Sequence, residues 1–335
     1  MKTIICVGGN KTTSGVRLGV NLAEVLQLIG QESWVLAPKG KVKVHCKVPL
    51  KEYTAFITTK SLAGLFTKEK VSNVISVMNW RACEAALQAK IPFIYVEYEG
   101  FKEDKTIKNK KSILQQATRV IVIGNENKPL NKKLYTDNAV WVKTPAVWVE
   151  HYNCNKPACF KKENNILAVG NLTKESGFDT LLKTWARLAP AHSTWHLTLV
   201  GDGTQKTAFQ RFITKNNLES STEILPAQSD VYGLMRNADI FAYPALKPTR
   251  ADVLLDAMAS KLPCVACKSA AVSELITNGV NGVVVNAGEE EPFTSALDEM
   301  MVDWGKRVGI ALEASKLKDR YPFEAFVKAV ADVLK

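Results

Sequence analysis

Short apolar runs alternate with longer amphipathic stretches along most of the chain. TIICVGG reads as a buried strand running into glycines. VRLGVNLAEVLQLIG carries apolar residues at helical spacing and stops at Gly30, and SWVLAP is a second strand. AFITT, VISVM, FIYVEY and RVIVIG follow as further short strands separated by helical stretches. After WVKTP the alternation lapses in VEHYNCNKPACFKKENN, a proline- and asparagine-containing segment without apolar period that reads as a connector. It then resumes: strand NILAVGNL, helix FDTLLKTWARLA, strand HLTLVGDG, helix AFQRFITKNN, strand TEILPA, helix VYGLMRNA, strand DIFAYPA. KPTRADVLLDAMASKLPCVA gives a loop, a short helix and a strand start, and GVVVNAG and closing helices complete the run.

Two βα runs joined by a polar connector predict an α/β protein of two doubly wound, Rossmann-like domains facing a central cleft. The boundaries fall at residues 1–148 and 164–335, with 149–163 as the connector. Ligands of such folds lie at the carboxyl ends of the strands. Gly8, Gly9, Gly170, Gly201 and Gly203 each follow an apolar run there. Any one of them serves as a turn residue, while all five together predict close approach of a ligand to backbone.

A length of 335 residues, 46% of them apolar, suits two ordinary cores. The opening MKTIICVGGN is too short for a signal sequence, and no window reaches the ~18 apolar residues of a spanning helix. A cytoplasmic protein is expected. Most of the seven cysteines sit in apolar runs, as buried thiols do. Cys264-Val-Ala-Cys267 has metal-like spacing, but its neighbours read as a strand whose alternate residues face opposite sides, so no metal site is expected. Charge is the uneven feature. Residues 1–150 hold 23 Lys+Arg against 12 Asp+Glu, and residues 151–335 hold 21 of each, so the first half carries the entire +11. Such a field attracts polyanions or anionic membranes, or it only solvates a surface.

Asp256 stands inside the apolar VLLDAMA, where a carboxylate is costly unless hydrogen bonds compensate. A ligand with hydroxyls would supply them. A plain helix N-terminus is the simpler account.

VGNLTKESGFDTLLKTWARL, LTLVGDGTQKTAFQRFI, VYGLMRNADIFAYPAL, LLDAMASKLPCVA and SELITNGVNGVVVNAG, in this order, closely resemble the donor-nucleotide half of the GT-B glycosyltransferases of family 4 (glycosyl transferases group 1). That resemblance covers roughly residues 164–335. SGVRLGVNLAEVLQLIG and ATRVIVIGNENKPL resemble the first domain more loosely. YPFEAFVKAVADVLK resembles the terminal helix, about 320–335, that crosses back to it. The resemblance implies a retaining, metal-independent transferase with no cofactor beyond its nucleotide-sugar donor, a UDP-sugar first among candidates. Asp256 takes the position of the carboxylate that accepts from the ribose hydroxyls, one methylene shorter, and Gly15 that of the glycine lying against the phosphates.

Departures from the pattern bear on activity. The family's second carboxylate position is Pro248, its arginine after VG is Asn171, its lysine before GFD is Ser176, and its first-domain histidine has no counterpart. Lys174, Lys247 and Arg250 lie close to the vacated positions, beside Gly170, and would carry the diphosphate. Glu97 and Glu99, ending FIYVEYEG, would take the catalytic place of the histidine. A catalytically inactive relative that binds a nucleotide sugar or acts as a scaffold is the alternative.

An anionic acceptor fits the basic first half. One option is an envelope glycolipid or lipopolysaccharide core, reached by peripheral docking on the inner membrane surface. KSLAGLFTKEK, with Leu62, Leu65 and Phe66 on one side, would serve as an interfacial helix or else pack on its own domain. The other option is hydroxymethylated DNA, contacted by Trp80, Arg81 and the run KEDKTIKNKK with Lys108, Lys110 and Lys111. No obligate protein partner is evident.

Overall fold

The computed structural model describes residues 2–8, 13–39, 48–53, 57–97, 107–123, 138–142, 163–227, 231–246 and 251–334. The chain divides into two compact units, residues 1–144 with 324–335, and residues 145–323.

The first unit is a parallel seven-stranded sheet of order β3-β2-β1-β4-β5-β6-β7. Its strands are β1 (Lys2–Val7), β2 (Glu32–Pro38), β3 (Leu50–Tyr53), β4 (Asn73–Val77), β5 (Phe93–Glu97), β6 (Arg119–Ile123) and β7 (Ala139–Val142). The described helices between them are α1 (Thr13–Leu28), α2 (Thr59–Lys68), α3 (Trp80–Gln88) and α4 (Ile107–Gln115). Central strands are buried along almost their whole length, as strands covered on both faces must be. The expected strand AFITT is displaced. Pairing with the edge of β2 falls to LKEY, a half-exposed segment without an apolar run. Residues 54–56 lie outside the described set, and Thr58 caps α2 by accepting from the Ser61 N–H. AVWV, which sequence reasoning left unassigned, is the far edge strand β7.

Helix α2 settles one open choice. Leu62 and Phe66 are fully buried in the core of their own unit and Leu65 packs against it. The interfacial reading of 60–70 is therefore corrected, because the side chains that would enter a membrane are already committed to the sheet.

The second unit carries a parallel six-stranded sheet of order β10-β9-β8-β11-β12-β13. The strands are β8 (Asn165–Val169), β9 (His196–Val200), β10 (Thr222–Leu225), β11 (Ile240–Tyr243), β12 (Cys264–Cys267) and β13 (Val283–Val285). Helices α5 (Phe178–Leu188), α6 (Lys206–Lys215), α7 (Val231–Arg236), α8 (Asp252–Ala259) and α9 (Ala270–Leu275) alternate with them. Helices α10 (Glu290–Val302), α11 (Trp304–Ser315) and α12 (Leu317–Arg320) close the unit. Helix α13 (Phe323–Leu334) lies, from residue 324 onward, in the first unit. Apolar clusters cover both faces of this sheet. Cys264 belongs to one cluster and Cys267 to the other, so their spacing is that of a strand and not of a chelate. Burial pushes the Cys267 thiol up to about 11 and the Cys83 thiol up to about 12, which keeps both protonated and unreactive. Among the described residues no helix is long and apolar enough to cross a membrane.

In each unit the strand order reverses once, between β1 and β4 and between β8 and β11. The carboxyl ends of those four strands are where a doubly wound sheet opens a crevice.

Candidate active site

In the second unit the loop after β8 is stitched to its neighbours by backbone. Gly170 N–H donates to the Val200 carbonyl (3.0 Å), Leu172 N–H to that of Asp202 (3.0 Å), and Gln205 N–H to that of Leu172 (2.9 Å). A β-carbon on Gly201 would overlap the Gly170 carbonyl oxygen, and one on Gly203 that of Leu172. These glycines are thus explained by backbone meeting backbone rather than by ligand approach. Gly8 follows the same rule in the first unit, where Asn79 would block any side chain. Gly170 is roomier, its nearest neighbour being the Phe178 ring at 3.4 Å.

The same loop is fastened to the end of β11, across the point where the strand order reverses. Leu246 N–H donates to the Glu175 carbonyl (2.9 Å), and Gly177, at φ 69°, lies against the Pro244 carbonyl. Ser176, standing where the family resemblance leads one to expect a lysine, turns its hydroxyl onto its own loop. It accepts from Thr173 N–H (3.0 Å) and lies within hydrogen-bonding reach of the Asn171 and Thr173 carbonyls. Lys174 and Asn171 remain exposed beside it. Backbone and Thr173 hydrogen bonds, helped by the charge of Lys174, hold the Glu175 carboxyl below the ordinary glutamate range. Lys247, Pro248 and Arg250 lie just beyond Leu246, outside the described residues.

Asp256 is the fifth residue of α8, past the first turn, where Asp252 sits instead. The simple N-terminus account therefore fails. The side chain is only 6% exposed, and Oδ1 accepts from the Tyr232 hydroxyl at 3.2 Å. Tyr232 comes from α7 and is itself buried. One turn along both helices, the Ser260 hydroxyl meets the Met235 sulfur at 3.8 Å and donates to the Asp256 carbonyl at 2.8 Å. The Tyr232 hydroxyl is thus a polar link from α7 to α8, and Met235 packs against Ser260 beyond it.

In the first unit, Glu97 and Tyr95 occupy the same face of β5. Glu97 is 1% exposed and accepts from the Tyr95 hydroxyl at 3.2 Å. Trp80, at the start of α3, stacks on Tyr95 with centroids 4.5 Å apart, and the Lys110 ammonium lies 5.6 Å from the Trp80 ring centre. The structure thus joins Glu97, Trp80 and Lys110, residues read separately in the sequence, through a tyrosine that sequence reasoning passed over. Glu97 is buried against Tyr95, and Tyr95 covers one face of the Trp80 ring. Arg81 is exposed and reaches the Ile57 carbonyl at 3.4 Å. Lys111 is exposed on α4, Lys108 lies on the same helix, and Glu99 falls outside the described residues. Gly15 sits within the first turn of α1, not in a loop, and is buried. The Tyr53 hydroxyl and the Asn79 amide both donate to the Val7 carbonyl (2.9 and 3.3 Å), bracing the end of β1.

Tyr232 carried no signal in the sequence, because it meets its carboxylate only after folding. Tyr95 alone had a readable hint, the i, i+2 spacing to Glu97 that puts both on one strand face.

Two parallel, doubly wound units with polar clusters at their strand ends define the GT-B class of fold, and comparisons agree. Anabaena Alr3699/HepE in complex with UDP-glucose superposes with a TM-score of 0.74 at 17% identity, covering 100% of this chain and 99% of that one. Residues 163–303 match the family model described as Glycosyl transferases group 1. An uncharacterized glycosyltransferase of Haemophilus influenzae is 26% identical over 84% of this chain and 85% of its own length. The amylovoran biosynthesis glycosyltransferase AmsD of Erwinia amylovora is 30% identical over 52% of this chain. The lipopolysaccharide core biosynthesis glycosyltransferase LpsE of Rhizobium meliloti is 24% identical over 50%. The chain spans 49% of the length of each of these last two. These matches support glycosyl transferases group 1 as the family, and the chain is a glycosyltransferase.

Proposed function

We propose that the enzyme moves a hexosyl group from a UDP-sugar to a hydroxyl of an anionic envelope glycolipid or lipopolysaccharide core, with retention of configuration and without a metal ion. The observation that carries the donor half is the buried Asp256 carboxylate on α8, at the side of the sheet where the strand order reverses. An ionised carboxylate only accepts, and the vicinal ribose hydroxyls are matched donors. Asn171 and Lys174, on the loop after Gly170, serve the diphosphate together with Lys247 and Arg250, stabilising its growing charge as the anomeric bond breaks. The acceptor oxygen bonds to the anomeric carbon on the face the diphosphate leaves, and a donor phosphate oxygen takes its proton. UDP-glucose in the Anabaena neighbour supports the choice of donor.

The acceptor side falls to Arg81, Lys108, Lys110 and Lys111, with Trp80 as the platform that Lys110 covers. Glu97 acts from the interior through Tyr95, and the catalytic carboxylate role falls to Glu99. Names of the curated relatives, amylovoran and lipopolysaccharide core biosynthesis, favour a glycan acceptor over DNA. Calorimetry of the intact chain against UDP, GDP, ADP and CDP tests the donor. One nucleotide should bind, and Asp256→Ala should weaken it by about 1.5–3 kcal/mol, the scale of a hydrogen bond to a charged group. Unchanged affinity in a folded variant refutes the ribose assignment.

A further inference from the structure

Asp256 is one methylene shorter than the residue the family resemblance leads one to expect, so its oxygens travel less far from the α8 backbone and their direction matters more. A carboxylate offers about four acceptor directions over its two oxygens, and Tyr232 takes one on Oδ1. That bond comes from a different helix, and both side chains are more than nine-tenths buried. The Tyr232 hydroxyl therefore reports the position of α7 to the carboxylate plane. Tyr232 and Met235 of α7 also share an apolar cluster with Leu254, Leu255 and Met258 of α8, which keeps the two helices packed without the tyrosine hydroxyl. Removing the hydroxyl oxygen should leave the ring in the apolar cluster and take away the bond to Asp256 Oδ1.

We propose that Tyr232 is a positioning residue. It sets the Asp256 carboxylate in the orientation that accepts from both ribose hydroxyls, and so gives the site its preference for a ribonucleotide over a deoxyribonucleotide. The inference rests on the ribose reading of Asp256, and the test separates the two. In a wild-type site built this way, UDP binds at least tenfold more tightly than 2′-deoxy-UDP, because a carboxylate aimed at two donors loses one of them. Tyr232→Phe keeps the ring and its packing.

Binding of UDP and 2′-deoxy-UDP, with GDP and 2′-deoxy-GDP alongside, is measured by calorimetry on the full chain. Wild type, Tyr232→Phe, Asp256→Asn and the double variant are compared, and thermal melts check that each is folded. For the nucleotide that binds, Tyr232→Phe should weaken the ribo form about tenfold and leave the deoxy form within twofold, so that discrimination collapses. The double variant should bind no more weakly than Asp256→Asn, since a hydroxyl that acts only through the carboxylate adds nothing once the carboxylate is gone. Equal weakening of ribo and deoxy forms by Tyr232→Phe would mean a packing role and overturn the proposal alone. So would unchanged discrimination, or additive losses in the double variant. A wild-type site that binds both forms equally, or binds none of the four, overturns the ribose reading and this proposal with it. Should Tyr232→Phe melt too early to measure, Tyr232→Met, which also lacks the hydroxyl, answers the same question at lower temperature.

Discussion

Gly177 links the short turn at Lys174–Ser176 to α5, and replacing it with alanine tests the architecture of the donor loop. Two costs add. At φ 69° and ψ 13° the backbone is left-handed, a region that costs a residue with a β-carbon about 1–2 kcal/mol. The new methyl would also overlap the Pro244 carbonyl oxygen. Neither partner is a flexible side-chain tip, so relief requires moving the loop or the end of β11, typically about 1–3 kcal/mol. Together they give about 2–5 kcal/mol, a large share of the ~5–15 kcal/mol that holds an ordinary domain together. For a unit of this size the melting temperature should fall by roughly 4–20 °C. Differential scanning calorimetry of the intact chain measures it, with two controls. Gly170→Ala meets only the Phe178 ring, at an ordinary van der Waals distance, and should move the transition little. Gly309→Ala, on the exposed side of α11 with nothing within 4 Å, should stabilise by about 0.4–1 kcal/mol through the unfolded chain. Because Leu246 is tied to Glu175, donor affinity should drop with Gly177→Ala even well below its melting point. A variant that melts within about 1 °C of wild type would refute this account of the loop.

Two further outcomes are expected. Asp239 is buried at the start of β11, where burial raises its carboxyl above the ordinary aspartate range despite a 3.1 Å bond from Asn165 N–H. The charged form is then the costly one in the fold. Wild-type stability contains a penalty that is full above the raised value and lifts as pH falls through it. Asp239→Asn should accordingly be more stable than wild type near neutrality in urea melts, with the advantage shrinking toward pH 3; an advantage that grows on acidification would contradict the sign. On the acceptor side, replacing Lys105, Lys108, Lys110 and Lys111 with glutamine should flatten the salt dependence of binding to anionic glycolipid while leaving nucleotide affinity level. A salt-insensitive acceptor step in the wild type would point to a neutral saccharide instead.

Apolar periodicity made most of this fold legible, because a parallel sheet covered on both faces needs uninterrupted apolar strands, and VISV, FIYV and LTLV supply them. It missed where strands sit at edges. LKEY pairs on one side only and needs no apolar run, while Ile57 of AFITT packs on the core just before α2 begins. Asp256 was legible as a carboxylate out of place. Its partner was not, since no sequence spacing brings 232 to 256. The glycines misled for a related reason: a sequence marks where a β-carbon is absent but not what occupies the space. At Gly201 and Gly203 the occupant is the neighbouring loop. Ser176 likewise read as a lost cation, whereas its hydroxyl holds the turn that presents Lys174.

Because residues 324–335 belong with residues 1–144, the first unit is made in two pieces with the whole of the second unit between them. During synthesis its sheet emerges first but waits for the helix that carries the buried Phe326 and Val330. The whole of 145–323 is made in between, which at ~5–20 residues per second is an interval of roughly 10–35 s. The second unit can reach its native state on the ribosome while the first still lacks its last helix. The seven-stranded sheet is thus the part of this enzyme most exposed to chaperones and to premature termination. A nonsense codon at the start of α13 should therefore damage the first unit more than the second, although the second is the one it directly follows.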